Sequence, residues 1–299
     1  MRTSLFLIAA ISFASMALAE DKFLYKKSDM PFNATAVKRP IDEDCRAEGT
    51  GKGGAQEQQN AAKNRFDATG DPVTIKVTDF DRLERAAIVA RNCAAKHKHG
   101  CHAVAIDQGG LPTDRSQLKD IATTAAGDSV GEGKLVTIVA KVLHAGYSNS
   151  KYNIYPGNQR GAGESVNCKG VPSKKASSEI DRNDIHIVLV APGVKDECLS
   201  VTAEISPHYR PDAWRRFHNM KPNKAGDVNA EAKGVDFSQL RAVRITGPLF
   251  YDASHEACNA KGPNTPRRRS IWEIHPVYKL EVQKPSGEWL SFEEWAQTQ

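Results

Sequence analysis

The chain has 299 residues, of which 40% are hydrophobic and 26% are charged. These values describe an ordinary soluble protein that can bury a sizeable core in one or two domains. The formal net charge is +5, and its excess of basic residues lies in the C-terminal half. A charge of this size permits an anionic partner but does not require one.

The first nineteen residues predict a secretory signal peptide. Arg2 supplies a positive start, residues 5–19 are nearly all apolar or small, and residues 17–19 read Ala-Leu-Ala, which fits a cleavage site. The apolar run is short for a membrane anchor, and no later stretch is suited to cross a bilayer. We therefore expect a periplasmic or secreted protein without a membrane span.

Six cysteines follow this segment, and an even count behind an export signal implies disulfides formed in an oxidising compartment. A zinc site is disfavoured because no C-x2-C pair occurs. Proximity in sequence suggests one pair, flanking of a predicted strand suggests a second, and the third follows by elimination. The preferred pairs are Cys93–Cys101, Cys168–Cys198 and Cys45–Cys258.

The first part of the mature chain has little periodic structure. Residues 20–73 read as an irregular arm, and the polar run 56–60 lacks an apolar period. A short strand is expected over 72–77, and Thr78 then predicts a helix that ends near residue 95. A histidine-rich loop follows, in which the absence of carboxylates and of helical spacing favours solvent exposure over metal binding. These histidines are His97, His99 and His102.

From residue 134 the pattern changes to strands with a period of two. A helix through Trp214 separates the third strand from the fourth, which is the order of an OB-type barrel. Gly247 in the fourth strand permits the sharp coil that a small barrel needs. The strands are expected over residues 135–144, 184–190, 198–205, 243–251 and 271–282.

The predicted fold class is therefore α+β: an OB-like five-stranded β-barrel preceded by an irregular arm and one helix. A plain β-sandwich is the alternative. The expected organisation is a signal peptide over 1–19, an arm and helix packed on the barrel over 20–133, the barrel over 134–284 and a short C-terminal helix over 285–299.

Several motifs resemble those of a family of exported bacterial proteins of uncharacterised function. The most specific is Arg-Ser-x-Trp-Glu-Ile-His-Pro-Val-Tyr at 269–278, and Gly-Pro-Leu-Phe-Tyr-Asp-x-x-His at 247–255 is another. Gly-Glu-Ser-Val-Asn-Cys at 163–168, Asn-Asp-Ile-His-Ile at 183–187 and the segment 202–211 also fit. The similarity extends from about residue 45 to residue 282. This similarity implies an exported bacterial domain and does not indicate any reaction.

The candidate site consists of histidines and acids at strand ends and turns of the barrel segment, with Asp184 beside them. Imidazole and carboxylate are what a divalent metal or a general acid–base pair needs, and an arginine would stabilise developing negative charge. The alternative is that these groups satisfy backbone atoms in turns. The candidates are His144, His186, Glu204, His208, Arg210, Asp252, His255, Arg269, Glu273 and His275.

Strand periodicity sets two faces within the predicted last strand. Glu273 and His275 emerge on one face, while Trp272 and Ile274 fill the other. The polar pair either lines a metal or acid–base site or acts as scaffolding, and scaffolding is favoured.

Loop aromatics are the candidates for stacking on a ligand, because loop side chains have less reason to be buried. The basic run 267–269 is suited to phosphate. We expect an exported ligand-binding or interaction module whose ligand is an anionic polymer such as nucleic acid or a glycan. The alternatives are a metal-dependent, nuclease-like hydrolase and a structural envelope protein. The stacking candidates are Tyr147, Tyr152 and Tyr155.

No organic cofactor is predicted, because the chain has no phosphate loop and no dinucleotide fingerprint. A divalent metal bound by the histidine and carboxylate cluster is the alternative that the sequence leaves open. The sequence does not fix the oligomeric state.

Overall fold

A computed structural model describes residues 54–96, 104–147, 184–219, 233–258 and 267–299, with no side chains described for 93–96. The predicted signal peptide, the histidine-rich loop and two of the three stacking candidates, Tyr152 and Tyr155, lie outside these residues. None of the helices in the described ranges is both long and apolar enough to cross a membrane.

Five strands close into a mixed β-barrel with the order β4-β5-β6-β8-β7-β4. All neighbours are antiparallel except β6 and β8, which are parallel. This order confirms the predicted α+β class with an OB-like barrel and excludes a plain sandwich. The barrel strands are β4 (Leu135–Tyr147), β5 (Ile185–Val190), β6 (Val201–Ile205), β7 (Ala242–Tyr251) and β8 (Trp272–Ile274).

Shorter strands extend the sheet on one side of the barrel. β1 (Val73–Ile75) pairs in parallel with β4, and β9 (Lys279–Gln283) runs antiparallel to β7. β10 (Trp289–Ser291) forms a hairpin with β9. A separate pair, β2 (Ala122–Thr123) and β3 (Ser129–Val130), forms a two-stranded sheet.

Three α-helices accompany the strands in the described ranges: α1 (Gly54–Lys63), α2 (Phe80–Lys96) and α3 (Phe292–Gln297). α2 is the predicted helix and buries an apolar stripe that includes Phe80, Leu83 and Ala87. The prediction of irregular structure is wrong for 54–63, which forms α1. Its buried residues are mainly polar, so the sequence has no apolar period that would predict a helix there.

The predicted strand over 271–282 is two strands, because the chain leaves the barrel after Ile274. The His275–Pro276 peptide is cis, and the His275 backbone N–H donates to Pro248 O at 3.0 Å. Gly247 allows this close approach, since a Cβ there would lie 2.4 Å from Pro276 O. The glycine expected to permit coiling therefore makes room for the segment that carries His275.

One disulfide is described, and it joins Cys198 to Cys258 across 60 positions. The predicted pairs Cys168–Cys198 and Cys45–Cys258 are therefore wrong. The flanking of a predicted strand misled the choice of a partner for Cys198, because the fold brings the β5–β6 connection against the segment after β7: Arg269 N donates to Ser200 O at 2.8 Å. The pair Cys93–Cys101 involves residues whose side chains lie outside the described part and stays a prediction.

Candidate metal centre

The barrel strands have two buried faces of opposite character. In β6, Val201, Ala203 and Ile205 belong to the apolar core, whereas Thr202 and Glu204 are buried but face away from it. The same alternation leaves His186 of β5, Phe250 of β7 and Glu273 of β8 on the outer face. Register aligns His186 with Glu204, and Phe250 with Glu273.

Donor atoms of two acids and two histidines converge on this outer face. Glu204 Oε1 lies 2.8 Å from His186 Nε2, and Glu204 Oε2 lies 2.9 Å from His275 Nε2. Asp184, directly before β5, places Oδ2 3.5 Å from His186 Nε2. One ligand atom each of Asp184, Glu204 and His275 lies within 4.8 Å of the others. The donor set therefore surrounds one common volume.

These short contacts do not have the angles of hydrogen bonds. Both carboxylate oxygens of Asp184 and of Glu204 have no hydrogen-bond partner within the described chain, and neither ring nitrogen of His275 has one. All three side chains are fully buried. Buried polar groups are normally hydrogen-bonded, whereas these groups contact one another and Lys63 at ion-pair distances without hydrogen-bond geometry.

The neighbouring buried acids differ because each has a permanent cation. Lys63 Nζ lies 3.3 Å from Asp252 Oδ2, and the guanidinium of Arg268 contacts Glu273 Oε1 directly. The Lys63 ammonium is 3.8 Å from Glu204 Oε2, which is at the limit of an ion pair. Asp184 has no lysine or arginine ion pair in the described ranges, and its ion-pair neighbour there is the His186 imidazole at 3.5 Å.

A second group of ligand-type atoms lies next to the first. Asp252 Oδ2 is 2.9 Å from His255 Nδ1, and Asp252 Oδ1 accepts a hydrogen bond from the Ser254 backbone N–H at 3.0 Å. Asp252, His255 and Glu273 also have donor atoms within 4.8 Å of one another. Because Asp252 and Glu273 already contact Lys63 and Arg268, this group is better neutralised than the first.

α1 covers the outer face through polar contacts. Gln59 Nε2 donates to Asp252 Oδ1 at 3.3 Å, and Gln59 Oε1 accepts from the Ala253 backbone N–H at 3.3 Å. Ser206 Oγ donates to Asn64 Oδ1 at 3.3 Å, just after the helix. α1 and the residue after it therefore contribute to the burial of this face next to Asp252 and Glu204.

Burial and charge shift the pKa values of these groups in opposite directions. Burial alone would raise the pKa of Glu204, but His186, Lys63 and His275 lower it well below the usual range. Burial acts to lower the pKa of His186, yet Glu204 and Asp184 raise it well above the usual value. Burial, followed by the charge of Glu204, raises the pKa of Asp184. Glu204 is thus the ionised acid of the pair.

The structure brings together six of the ten predicted site residues, whereas His144 and Arg269 form ion pairs elsewhere. His144 pairs with Glu197 at 3.0 Å and is about one-third exposed. Arg269 forms an ion pair with Asp81 of α2 at 3.0 Å. His208 is buried near Ser206, and Arg210 lies over the Tyr147 ring. The six that cluster are His186, Glu204, Asp252, His255, Glu273 and His275.

Tyr147 is not a loop residue, contrary to the prediction. It ends β4 and is only 3% exposed, and its hydroxyl donates to Arg215 O at 2.9 Å. A ring packed against His218 and Arg210 is not available for stacking on a ligand from solvent. The predicted end of this strand, residue 144, placed Tyr147 in the following loop, but β4 continues for three more residues.

The sequence did not indicate Lys63 or Gln59 as site residues. It also did not distinguish Arg268 from the other arginines of the basic run 267–269. Lys63 and Gln59 belong to a polar helix that has no apolar signature. Arg268 was part of the basic run that the sequence suits to phosphate, but it is fully buried. A signal was present: four acids beside barrel strands need cations nearby, and a buried arginine or lysine is the common solution.

No family model matches this chain, and comparison with curated proteins and with solved structures finds no significant match. The fold and the donor geometry therefore define the class: an OB-like barrel with a buried carboxylate–imidazole cluster on its outer face. The resemblance to exported bacterial proteins stays a prediction.

Proposed function

We propose that this protein binds one divalent metal ion, zinc or manganese, through Asp184, Glu204 and His275, with His186 on the more exposed side. Mixed imidazole and carboxylate donors suit these ions. The observation that supports this proposal best is the convergence of fully buried oxygen and nitrogen donors without hydrogen-bond geometry. Donors bound to one ion at about 2.1 Å stand roughly 3–3.5 Å apart. Glu204 Oε2 and His275 Nε2 are 2.9 Å apart, and a ligand atom of Asp184 lies within 4.8 Å of both residues.

The position on the barrel supports a role for the ion in ligand binding. OB-type barrels bind oligonucleotides and oligosaccharides on strands two and three, which here are β5 and β6. His186 and Glu204 lie on those strands, and the His186 side chain is 16% exposed. We therefore propose an anionic ligand whose oxygen completes the metal coordination, in line with the anionic polymer predicted from the sequence.

A bound ion of this kind polarises a phosphoryl or carbonyl oxygen and lowers the pKa of a bound water. Three protein ligands with one open position are typical of catalytic zinc sites, whereas structural sites are closed by four. The reaction class that follows is metal-dependent hydrolysis, with a phosphodiester as the substrate class suited to the ligand face. Glu204 and His275 would hold the ion, and His186 would face the ligand.

Equilibrium dialysis against Zn²⁺ or Mn²⁺, followed by elemental analysis, tests metal binding. We expect one ion per chain and at least a tenfold loss of affinity in Glu204→Gln. Glu197→Gln is the matched control, because Glu197 also contacts a histidine through its carboxylate but lies outside the cluster. A wild-type protein without metal, or an equal loss in Glu197→Gln, would contradict the proposal.

Hydrolysis is tested separately with bis(p-nitrophenyl) phosphate as the probe. We expect nitrophenolate release that requires added metal and is lost in Glu204→Gln but kept in Glu197→Gln. If the protein binds metal but releases no nitrophenolate, the metal site is retained and the proposed hydrolase activity is excluded.

A further inference from the structure

Lys63 is the charged side chain that joins the two carboxylate groups of the outer face. Its ammonium lies 3.3 Å from Asp252 Oδ2 and 3.8 Å from Glu204 Oε2, and the residue is only 3% exposed. Glu204 Oε2 is also the oxygen that faces His275 Nε2 at 2.9 Å. One oxygen of the proposed metal ligand is thus shared between an imidazole and a lysine.

A cation held at this position opposes a second cation at the same carboxylate. Two positive charges near Glu204 repel each other strongly where water is excluded, because screening is weak in a buried site. Lys63 therefore compensates Glu204 when metal is absent and disfavours metal when it is present.

Lys63 is also the last residue of α1, so its contacts couple the metal ligand to the helix. Other contacts of this segment with the face include polar ones: Gln59 with Asp252 and Ala253, and Asn64 with Ser206. Polar contacts at a docked helix are exchanged for water at small net cost. Loss of the Lys63 contact would therefore weaken the docking of α1.

Building on the proposed metal site, we propose that Lys63 is an internal competitor of the metal ion, and that metal binding loosens α1 from the barrel. Coupling of this kind is reciprocal: whatever weakens the Lys63 contact strengthens metal binding by the same factor. α1 is then a metal-responsive cover over the ligand face of the barrel.

Titration calorimetry with Zn²⁺ or Mn²⁺ on Lys63→Met tests this competition. We expect metal affinity at least tenfold tighter than in the wild-type protein. Lys141→Met is the matched control, because Lys141 is also partly buried but donates to a backbone oxygen, Leu240 O at 3.0 Å, and no carboxylate depends on it. Unchanged or weaker affinity in Lys63→Met, repeated in a second variant that also removes the Asp252 charge, would overturn the competition.

Lys63→Met leaves Asp252 without its ammonium, so Lys63→Met/Asp252→Asn is the second variant. It removes the ion pair as a unit and still leaves Glu204 without Lys63, so it should also bind metal more tightly. Failure of both variants to gain affinity while the wild-type protein binds metal overturns the role of Lys63 alone. Absence of binding in all proteins overturns the metal site as well.

Hydrogen exchange gives a readout that a purely structural lysine would not change. We expect amides of α1 to exchange faster when metal is added to the wild-type protein, while amides of β6 remain protected. Slower or unchanged exchange in α1 would contradict the proposed release.

Discussion

The inside and the outside of the barrel are built from alternate residues of the same strands, and both are buried. In β6 the apolar residues fill the core, while Glu204 points to the other face and is equally inaccessible. The interior is held by non-directional packing, whereas the outer face depends on charges that must be paired. In β6, period two therefore separates apolar from polar groups and does not separate buried from exposed ones.

A substitution in the barrel interior should have the largest effect on the free energy of unfolding. Trp272 is fully buried in the barrel core, and Trp272→Ala should lower the free energy of unfolding by about 3–5 kcal/mol because it removes a large packed side chain. Urea unfolding measures this. Val139→Ala is the control on the same barrel, since Val139 is 49% exposed and should cost less than about 0.5 kcal/mol. Similar losses in both variants would contradict the assignment of the interior.

The barrel was predictable because its strands alternate and its helical insertion falls after the third strand. The outer-face site was only partly predictable. His186, Glu204 and His275 stood out as chemistry-bearing residues at strand ends, but nothing in a one-dimensional pattern says which of them meet in space. His144 had the same appearance, yet the fold pairs it with Glu197 instead.

The cover of the site could not be predicted for a physical reason. α1 docks through Gln59, Lys63 and Asn64, and amphipathic periodicity detects only helices that bury apolar side chains. The buried Arg268 was missed because its role depends on Glu273, which pairs with it from the other side of the turn into β8.

The next largest effect on stability is expected on the outer face. Arg268→Met leaves Glu273 buried without a cation, which should cost about 3 kcal/mol of stability. Burial already raises the pKa of Glu273 to about 7, so proton uptake limits the loss. Urea unfolding of Arg268→Met/Glu273→Gln should recover most of it, because no unpaired charge remains. A double variant no more stable than the single one would contradict charge pairing as the cause.

The smallest effect is one of pH. Burial acts to raise the pKa of Asp252, but Lys63 and His255 hold it well below the usual range. A carboxyl whose folded-state pKa is depressed stabilises the fold above its unfolded pKa, near 3.9, and loses that contribution as pH falls through the folded value. Asp252→Asn should therefore lose about 1–2 kcal/mol at neutral pH and show a shallower fall in stability below about pH 4.

Thermal unfolding between about pH 2 and pH 7 checks this, with Asp71→Asn as a control at an exposed acid. Parallel pH profiles for wild-type protein and Asp252→Asn would contradict a depressed pKa at Asp252.

The central claim is that the unsatisfied donors of the outer face meet at a metal ion. The most direct measurement is X-ray diffraction at the zinc absorption edge from crystals grown with Zn²⁺. We expect one strong anomalous peak within about 2.0–2.2 Å of Asp184, Glu204 and His275. A protein that binds no ion there, with Glu204 and His275 hydrogen-bonded to ordered water instead, would contradict it.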